Sequence, residues 1–254
     1  MGIPDPYPTH GHPYMILLFT LLCLHPTTSS ATPTNETDSL ALLKFKESIT
    51  NDPAGVLSLW NYSIQFCNWY GITCGRHHQR ATTLALQGHK LRGTITPYVG
   101  NLTFLTVINL QNNSFYGEIP KEVGHLFRLR HLNLSNNMLG GEIPASLTNC
   151  SKLKVIGLSR NKLIGKIPMD LGSLSKLLYF LVAENNLKER IPPFLGNLSF
   201  LELFSATFNN LRGKYSKEHR SFEKLIIFRS WIQYAERYGP ILFLQFIIYE
   251  RIRI

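Results

Sequence analysis

Apolar positions repeat along the middle of the chain at a fixed interval. Pairs of apolar residues separated by one residue recur every 24 residues, and from the second pair onward an asparagine follows three places later. The pairs are Leu84/Leu86, Ile108/Leu110, Leu132/Leu134, Ile156/Leu158, Phe180/Val182 and Phe204/Ala206. This alternation predicts a short strand in each repeat, with the paired residues inside and the residue between them outside. Since one repeat cannot bury its apolar side alone, the pattern predicts a solenoid of stacked coils.

One asparagine per repeat forms a second regular column. Its members are Asn113, Asn137, Asn161, Asn185 and Asn209. The sharp turn after each predicted strand leaves backbone groups that water cannot reach, and an inward amide side chain both donates and accepts hydrogen bonds. We therefore predict a structural role for this column, in which replacement by alanine lowers the free energy of unfolding by about 1 to 3 kcal/mol.

A leucine-x-glycine-x-isoleucine-proline motif follows the asparagines, at residues 139–144 and 163–168. Glycine permits a bend that other residues resist, and proline ends strand pairing. The fifth coil departs from this motif, because Glu189 stands where glycine is expected. Together the two motifs resemble the plant type of leucine-rich repeat.

The segment before the repeats, residues 37–74, resembles the N-terminal cap of plant leucine-rich-repeat receptor-like kinases, most closely the immune-receptor branch. The resemblance implies an α/β leucine-rich-repeat solenoid, a right-handed coil with short parallel strands on its concave face, behind an N-terminal helical and disulfide cap. We divide the chain into a secretory signal (1–30), the cap (31–78), six repeats of 24 residues (79–213) and an atypical tail (214–254).

The cysteines are distributed between the cap and the repeats. A disulfide between Cys67 and Cys74 would persist in an oxidising compartment, and two free thiols are the alternative. Cys150 fills a leucine position, so we expect a buried and unreactive thiol. Adjacent histidines at 77 and 78 point apart, so we expect no metal site. No cofactor is expected either.

Both ends of the chain lack the repeat. Residues 15–24 form an apolar run followed by small residues, the layout of a secretory signal, with translation starting at Met1 or Met15. The tail has an apolar run at 241–248, which is shorter than the roughly 20 residues of a membrane span. Either the tail folds back as a lid or the gene model is truncated, and we favour truncation.

Sequons and charge describe the expected environment. Seven N-x-S/T sequons suggest exposure to the glycosylation machinery. They are Asn35, Asn61, Asn101, Asn112, Asn133, Asn149 and Asn197. The formal net charge of +10 can attract acidic partners, including wall polysaccharides. Nothing resembles a nucleic-acid-binding module, so no nucleic-acid partner is expected.

The outward strand positions are the candidate ligand face, because the repeat leaves them free to vary. The selected residues are Gln87, Asn109, Gln111, His131, Ser135, Val155, Ser159, Tyr179, Leu181 and Leu203. The apolar members gather in the later coils, as interaction sites often do. Packing of these members under the tail is the alternative.

The leading functional hypothesis is an extracellular recognition module of a plant receptor-like protein in defence or developmental signalling. It would be secreted or lie at the cell surface, and bind a peptide, a protein or a co-receptor ectodomain. One alternative is a piece of a membrane receptor Ser/Thr kinase, and another is a secreted inhibitor of a wall-degrading hydrolase. The 254 residues contain no glycine-rich phosphate loop, H-R-D or D-F-G motif, so kinase catalysis is not expected from this chain.

Overall fold

The structure, a computed structural model, describes residues 2, 35–193, 195 and 198–211. The expected signal peptide (1–30), the sequon at Asn197 and the tail (214–254) lie outside the described residues. The helix α1 spans Asn35–Glu47. The strands are β1 (Ile49–Asn51), β2 (Ile72–Cys74), β3 (Ala81–Ala85), β4 (Arg92–Thr94), β5 (Val107–Asn109), β6 (Ser114–Glu118), β7 (His131–Asn133), β8 (Met138–Gly140), β9 (Val155–Gly157), β10 (Tyr179–Leu181) and β11 (Leu203–Ser205). Short 3-10 helices span Phe66–Asn68, Pro97–Asn101, Lys121–His125, Ala145–Asn149 and Met169–Ser173.

Seven strands form one sheet in the order β2-β3-β5-β7-β9-β10-β11. From β3 to β11 neighbouring strands are parallel, and each residue pairs with the residue 24 positions later. The cap strand β2 is antiparallel to β3 and ends the sheet. We call this seven-stranded sheet the concave sheet. The predicted α/β leucine-rich-repeat solenoid with short parallel strands is thus confirmed.

Four strands form a second sheet in the order β1-β4-β6-β8, which we call the short sheet. The apolar pattern of the sequence does not predict it. Its strands β4, β6 and β8 are parallel, and the cap strand β1 pairs antiparallel with β4. The strand β6 buries only Phe115, and β8 only Leu139. With one inward residue per strand there is no alternation to detect, which explains why sequence periodicity misses this sheet.

The asparagine column joins the two sheets. Asn137 Nδ2 donates to the carbonyl oxygens of Leu110 (2.9 Å), Leu134 (3.0 Å) and Ser135 (3.3 Å), while its Oδ1 accepts from the backbone N–H of Phe115 at 2.9 Å. Leu110 and Phe115 belong to the preceding coil, so each amide connects two coils. The same bonds recur at Asn113, Asn161, Asn185 and Asn209.

The leucines of successive coils form one continuous apolar core, in which Cys150 is fully buried. Burial raises the pKa of the Cys150 thiol to about 11, so the reactive thiolate is not populated near neutral pH. Within the described residues, no helix is long and apolar enough to cross a membrane.

The cap closes the first coil with aromatic rings and a disulfide. Cys67 and Cys74 are bonded, with Cα atoms 5.5 Å apart, which confirms the predicted pairing over two free thiols. The rings of Trp60 and Trp69 are stacked with centroids 5.2 Å apart. Stacked rings of this size supply much of the apolar area that a short cap can bury.

A buried ion pair fastens the cap helix to the first coil. Asp38, fully buried in α1, accepts bonds from Arg80 Nη2 at 2.6 Å, Arg80 Nε at 2.9 Å and the backbone N–H of Ala81 at 2.8 Å. Sequence reasoning missed this pair, because its members are 42 residues apart and a lone aspartate carries no periodic signal.

Glu189 occupies the glycine position of the fifth coil with a backbone φ of +69°, matching the +75° of Gly165 one coil earlier. This left-handed conformation strains a residue that has a Cβ atom. We expect Glu189→Gly to raise the free energy of unfolding by about 0.5 to 1 kcal/mol, since strain relief outweighs the entropy that glycine adds to the unfolded chain. Chemical denaturation is the measurement.

Glu189→Ala is the matched control, because it removes the same charge while keeping the Cβ atom and its strain. Equal stabilisation by alanine and glycine would show that the charge, and not the backbone conformation, is unfavourable at this position.

Candidate ligand-binding face

The concave sheet presents one row of side chains from each coil. Most of the predicted ligand-face residues are exposed or half-buried there. These are Gln87, Asn109, Gln111, His131, Ser135, Ser159, Tyr179 and Leu203. Strand register places their rows about 4.8 Å apart, so a ligand lying across the sheet contacts several coils.

Two of the predicted ligand-face residues are buried instead. Val155 is 5% exposed and Leu181 is 3% exposed, so the prediction that they offer apolar contact area is wrong. Val155 pairs with His131 on one side and with Tyr179 on the other. Leu181 shares its face with Tyr179, two residues earlier on the same strand. The exposed apolar area of this region is therefore smaller than the sequence suggests.

Hydrogen bonds between coils fix several polar side chains of this face. Asn133 Nδ2 donates to Gln111 Oε1 at 3.0 Å, and Tyr179 Oη donates to Glu202 Oε2 at 2.9 Å. Beyond the ends of two neighbouring strands, Asn136 Nδ2 donates to Asn112 Oδ1 at 2.6 Å. One coil pair further, Arg160 forms an ion pair with Glu184 at 2.8 Å.

The residues of the Asn136–Asn112 and Arg160–Glu184 pairs each lie directly before an asparagine of the column. The sequence analysis did not select this position. Asn112, Asn136, Arg160 and Glu184 all have φ values between +54° and +57°. Two of these four positions are asparagine, which tolerates the left-handed conformation. That recurrence at the 24-residue period could have indicated a turn position in the sequence.

The structure changes the interpretation of the sequon at Asn133. Its side chain is 8% exposed, and the Nδ2 atom that would carry a sugar is bonded to Gln111. Asn133 lies on the outward face, as the strand alternation predicts, but its bond to Gln111 in the neighbouring row leaves little of it exposed. Asn101 and Asn149 are exposed, whereas Asn61 and Asn112 are half-buried.

His131 lies at the centre of the face. Burial lowers the pKa of His131, and the positive charges of Lys154 and Arg130 lower it further. The imidazole is consequently neutral at pH 7 and can both donate and accept hydrogen bonds. Arg130 and Lys154, at the position directly before the strands, were not among the predicted site residues.

The described residues contain no group of three or more His, Cys, Asp or Glu side chains placed to hold a metal ion. His78 instead packs against Phe104, with ring centroids 4.4 Å apart. An open groove of about 860 Å³ lies beside the short sheet, lined by repeated Ile-Pro pairs such as Ile119-Pro120 and Ile143-Pro144. These prolines precede the 3-10 helices, so the groove follows from the repeat itself.

Two family models match the chain. The leucine-rich-repeat N-terminal domain matches residues 35–75, and the leucine-rich repeat matches residues 104–126, 128–150 and 152–174. The chain is 51% identical over 76 residues to the LRR receptor-like serine/threonine-protein kinase EFR of Arabidopsis thaliana. That match covers 30% of this chain and only 7% of the kinase.

Solved ectodomains match over a longer region. The BIR2 ectodomain from Arabidopsis thaliana is 34% identical with a TM-score of 0.63, and the match covers 70% of this chain and 95% of that one. The Arabidopsis receptor kinase HAESA, solved in complex with the peptide hormone IDA and the co-receptor SERK1, is 27% identical with a TM-score of 0.57, and the match covers 74% of this chain and 36% of that one. From its repeat register, its disulfide-closed cap and these similarities, the chain belongs to the leucine-rich-repeat family in the form found in plant receptor-kinase ectodomains.

Proposed function

We propose that this chain is the extracellular recognition module of a plant receptor-like protein, and that it binds a peptide or a second ectodomain on its concave sheet. The observation that carries the proposal is the set of polar side chains held in place between coils, including Gln111, Asn133 and Tyr179. Side chains already ordered in the free protein lose less entropy on binding, which favours affinity and specificity.

The similarity to HAESA supports this mode of binding, since that ectodomain was solved with a peptide hormone and a co-receptor. A parallel sheet with rows about 4.8 Å apart suits an extended peptide that crosses several coils. We place the chain outside the cell or at its surface, in defence or developmental signalling.

Tyr179 is the residue through which the proposal is tested. It is half-buried beside Val155, and its hydroxyl donates to Glu202 in the next coil. Peptides selected against the secreted full chain from a display library of short random sequences are expected to bind about tenfold more weakly to Tyr179→Ala. The melting temperature of this variant should stay close to that of the unaltered chain.

Tyr98→Ala is the matched control, because Tyr98 is 46% exposed and lies in a 3-10 helix away from the concave sheet. Peptides that bind both variants equally would place recognition elsewhere. A large loss of melting temperature in Tyr179→Ala would instead assign this ring to packing.

The short match to the EFR kinase favours a second candidate, in which this sequence is the N-terminal part of a membrane receptor kinase. A transcript read through the region after residue 213 distinguishes the two candidates. Further repeats, an apolar span of about 20 residues and kinase motifs would establish the second.

A further inference from the structure

Five cations line the edge at which each coil enters the concave sheet. One set of equivalent positions, nine residues before the asparagines of the column, contains Arg128, Lys152 and Lys176. The second column, two residues further along each coil, contains Arg130 and Lys154. We call these five residues the basic strip. A buried leucine follows each cation of the first column, at Leu129, Leu153 and Leu177, and the cations themselves lie in the turns before the strands.

The backbone fixes the spacing of the strip. The N–H of Arg130 donates to the carbonyl of Thr106, and the N–H of Lys154 donates to that of Arg130, both at 2.8 Å. The backbones of Arg130 and Lys154 therefore lie one strand spacing apart, about 4.8 Å. The guanidinium of Arg128 lies 3.9 Å from the centroid of the Phe104 ring, which anchors the first cation of the strip.

The charges of the strip are not neutralised within the described part of the chain. Arg130, Lys152, Lys154 and Lys176 are exposed, Arg128 is half-buried, and none forms an ion pair with a described carboxylate. Like charges held this close repel one another, so an anionic partner gains more here than at scattered lysines. Burial lowers the pKa of the neighbouring His131, and the positive charges of Lys154 and Arg130 lower it further.

We propose that the basic strip binds a linear polyuronate, a polysaccharide with one carboxylate on each sugar unit. The strip presents cations on three successive coils, and in the next coil Phe200 and Glu202 occupy the two columns. A polyuronate carries a carboxylate on every ring, so one chain can bring several carboxylates to the strip. An acidic peptide carries the same type of charge but has no sugar rings, whereas the strip is continued by an exposed aromatic side chain. Phe200 is 62% exposed in the same column beyond Lys176 and offers a flat surface to a sugar ring.

This surface borders the proposed ligand face, because Arg130 and Lys154 directly precede the strands β7 and β9. Binding to a wall polymer here would hold the chain in place while leaving the rows around Gln111 and Tyr179 available.

Binding of the secreted full chain to de-esterified polygalacturonate, measured by calorimetry at low salt, tests the proposal. We expect the triple variant Arg130→Gln, Lys152→Gln, Lys154→Gln to bind about tenfold more weakly, since three exposed ion pairs are lost. The matched control is Lys90→Gln, Lys162→Gln, Lys188→Gln, which removes three exposed charges outside the strip and should retain the affinity. Fully methyl-esterified polymer should not bind.

A second measurement locates the polymer on the strip. Neutralising Arg130 and Lys154 removes part of the repulsion on a protonated imidazole, so bound polyuronate should raise the pKa of His131 in an NMR titration. The His131→Gln variant identifies the resonance.

Two outcomes would overturn the proposal. Equal weakening of the two triple variants would show that net charge alone drives binding. If polyglutamate binds at least as tightly as polygalacturonate, and the triple variant of the strip loses that binding, the surface would be assigned to acidic peptides instead.

Discussion

Replacing Asp38 with alanine is expected to lower the free energy of unfolding by about 3 to 5 kcal/mol, the largest effect we predict for a single residue. The carboxylate is fully buried and accepts bonds from Arg80 and from the backbone of Ala81. Its removal leaves the guanidinium, which is only 5% exposed, without its buried counter-charge. Chemical denaturation followed by circular dichroism measures the loss.

The neighbouring Ser39→Ala is the control, because Ser39 lies in the same helix but is only half-buried and should matter little. The double variant Asp38→Leu, Arg80→Met should recover part of the loss, since apolar residues of similar size remove both charges from the interior. A loss below about 1 kcal/mol in Asp38→Ala would contradict the role of the pair in attaching the cap.

Asn185→Ala is expected to cost about 3 kcal/mol, at the upper end of the range for an asparagine of the column. Its Nδ2 donates to Leu158, Val182 and Ala183 carbonyls, and its Oδ1 accepts from the backbone of Leu163. Alanine leaves these buried backbone groups without partners in two adjacent coils. The midpoint of denaturation should fall accordingly.

Asn186→Ala is the matched control, because Asn186 is adjacent and exposed, and its backbone bond to Leu163 survives the substitution. Asn137→Ala should behave like Asn185→Ala, since Asn137 makes the corresponding bonds. Equal midpoints for Asn185→Ala and Asn186→Ala would refute the structural role of the column.

Sequence reasoning succeeded where a feature is repeated and failed where it depends on unrelated neighbours. The Glu189 anomaly was visible because the preceding coils show glycine at its position, and its φ of +69° has the expected sign. Val155, in contrast, occupies an outward strand position between His131 and Tyr179 and is nevertheless buried. No property of Val155 itself indicates this.

The same contrast separates the two parts of the candidate site. Gln111 and Tyr179 were found as outward residues of predicted strands, whereas Arg130 and Lys154 were missed because they precede the strands. Column alignment at the 24-residue period would have found the second pair, but their significance depends on the absence of carboxylates nearby among the described residues.

By itself the sequence determined the coil period, the parallel register, the inward asparagine bonds and the Cys67–Cys74 pairing, because each repeat encodes the same short strand and turn and must stack on its copy. Only the tertiary structure decided the short sheet, the Asp38–Arg80 pair, the burial of Asn133 and the lack of ion pairs between the basic strip and carboxylates of the described residues. These features arise from side chains that meet across coils or across the cap, where distance in the sequence gives no information about contact.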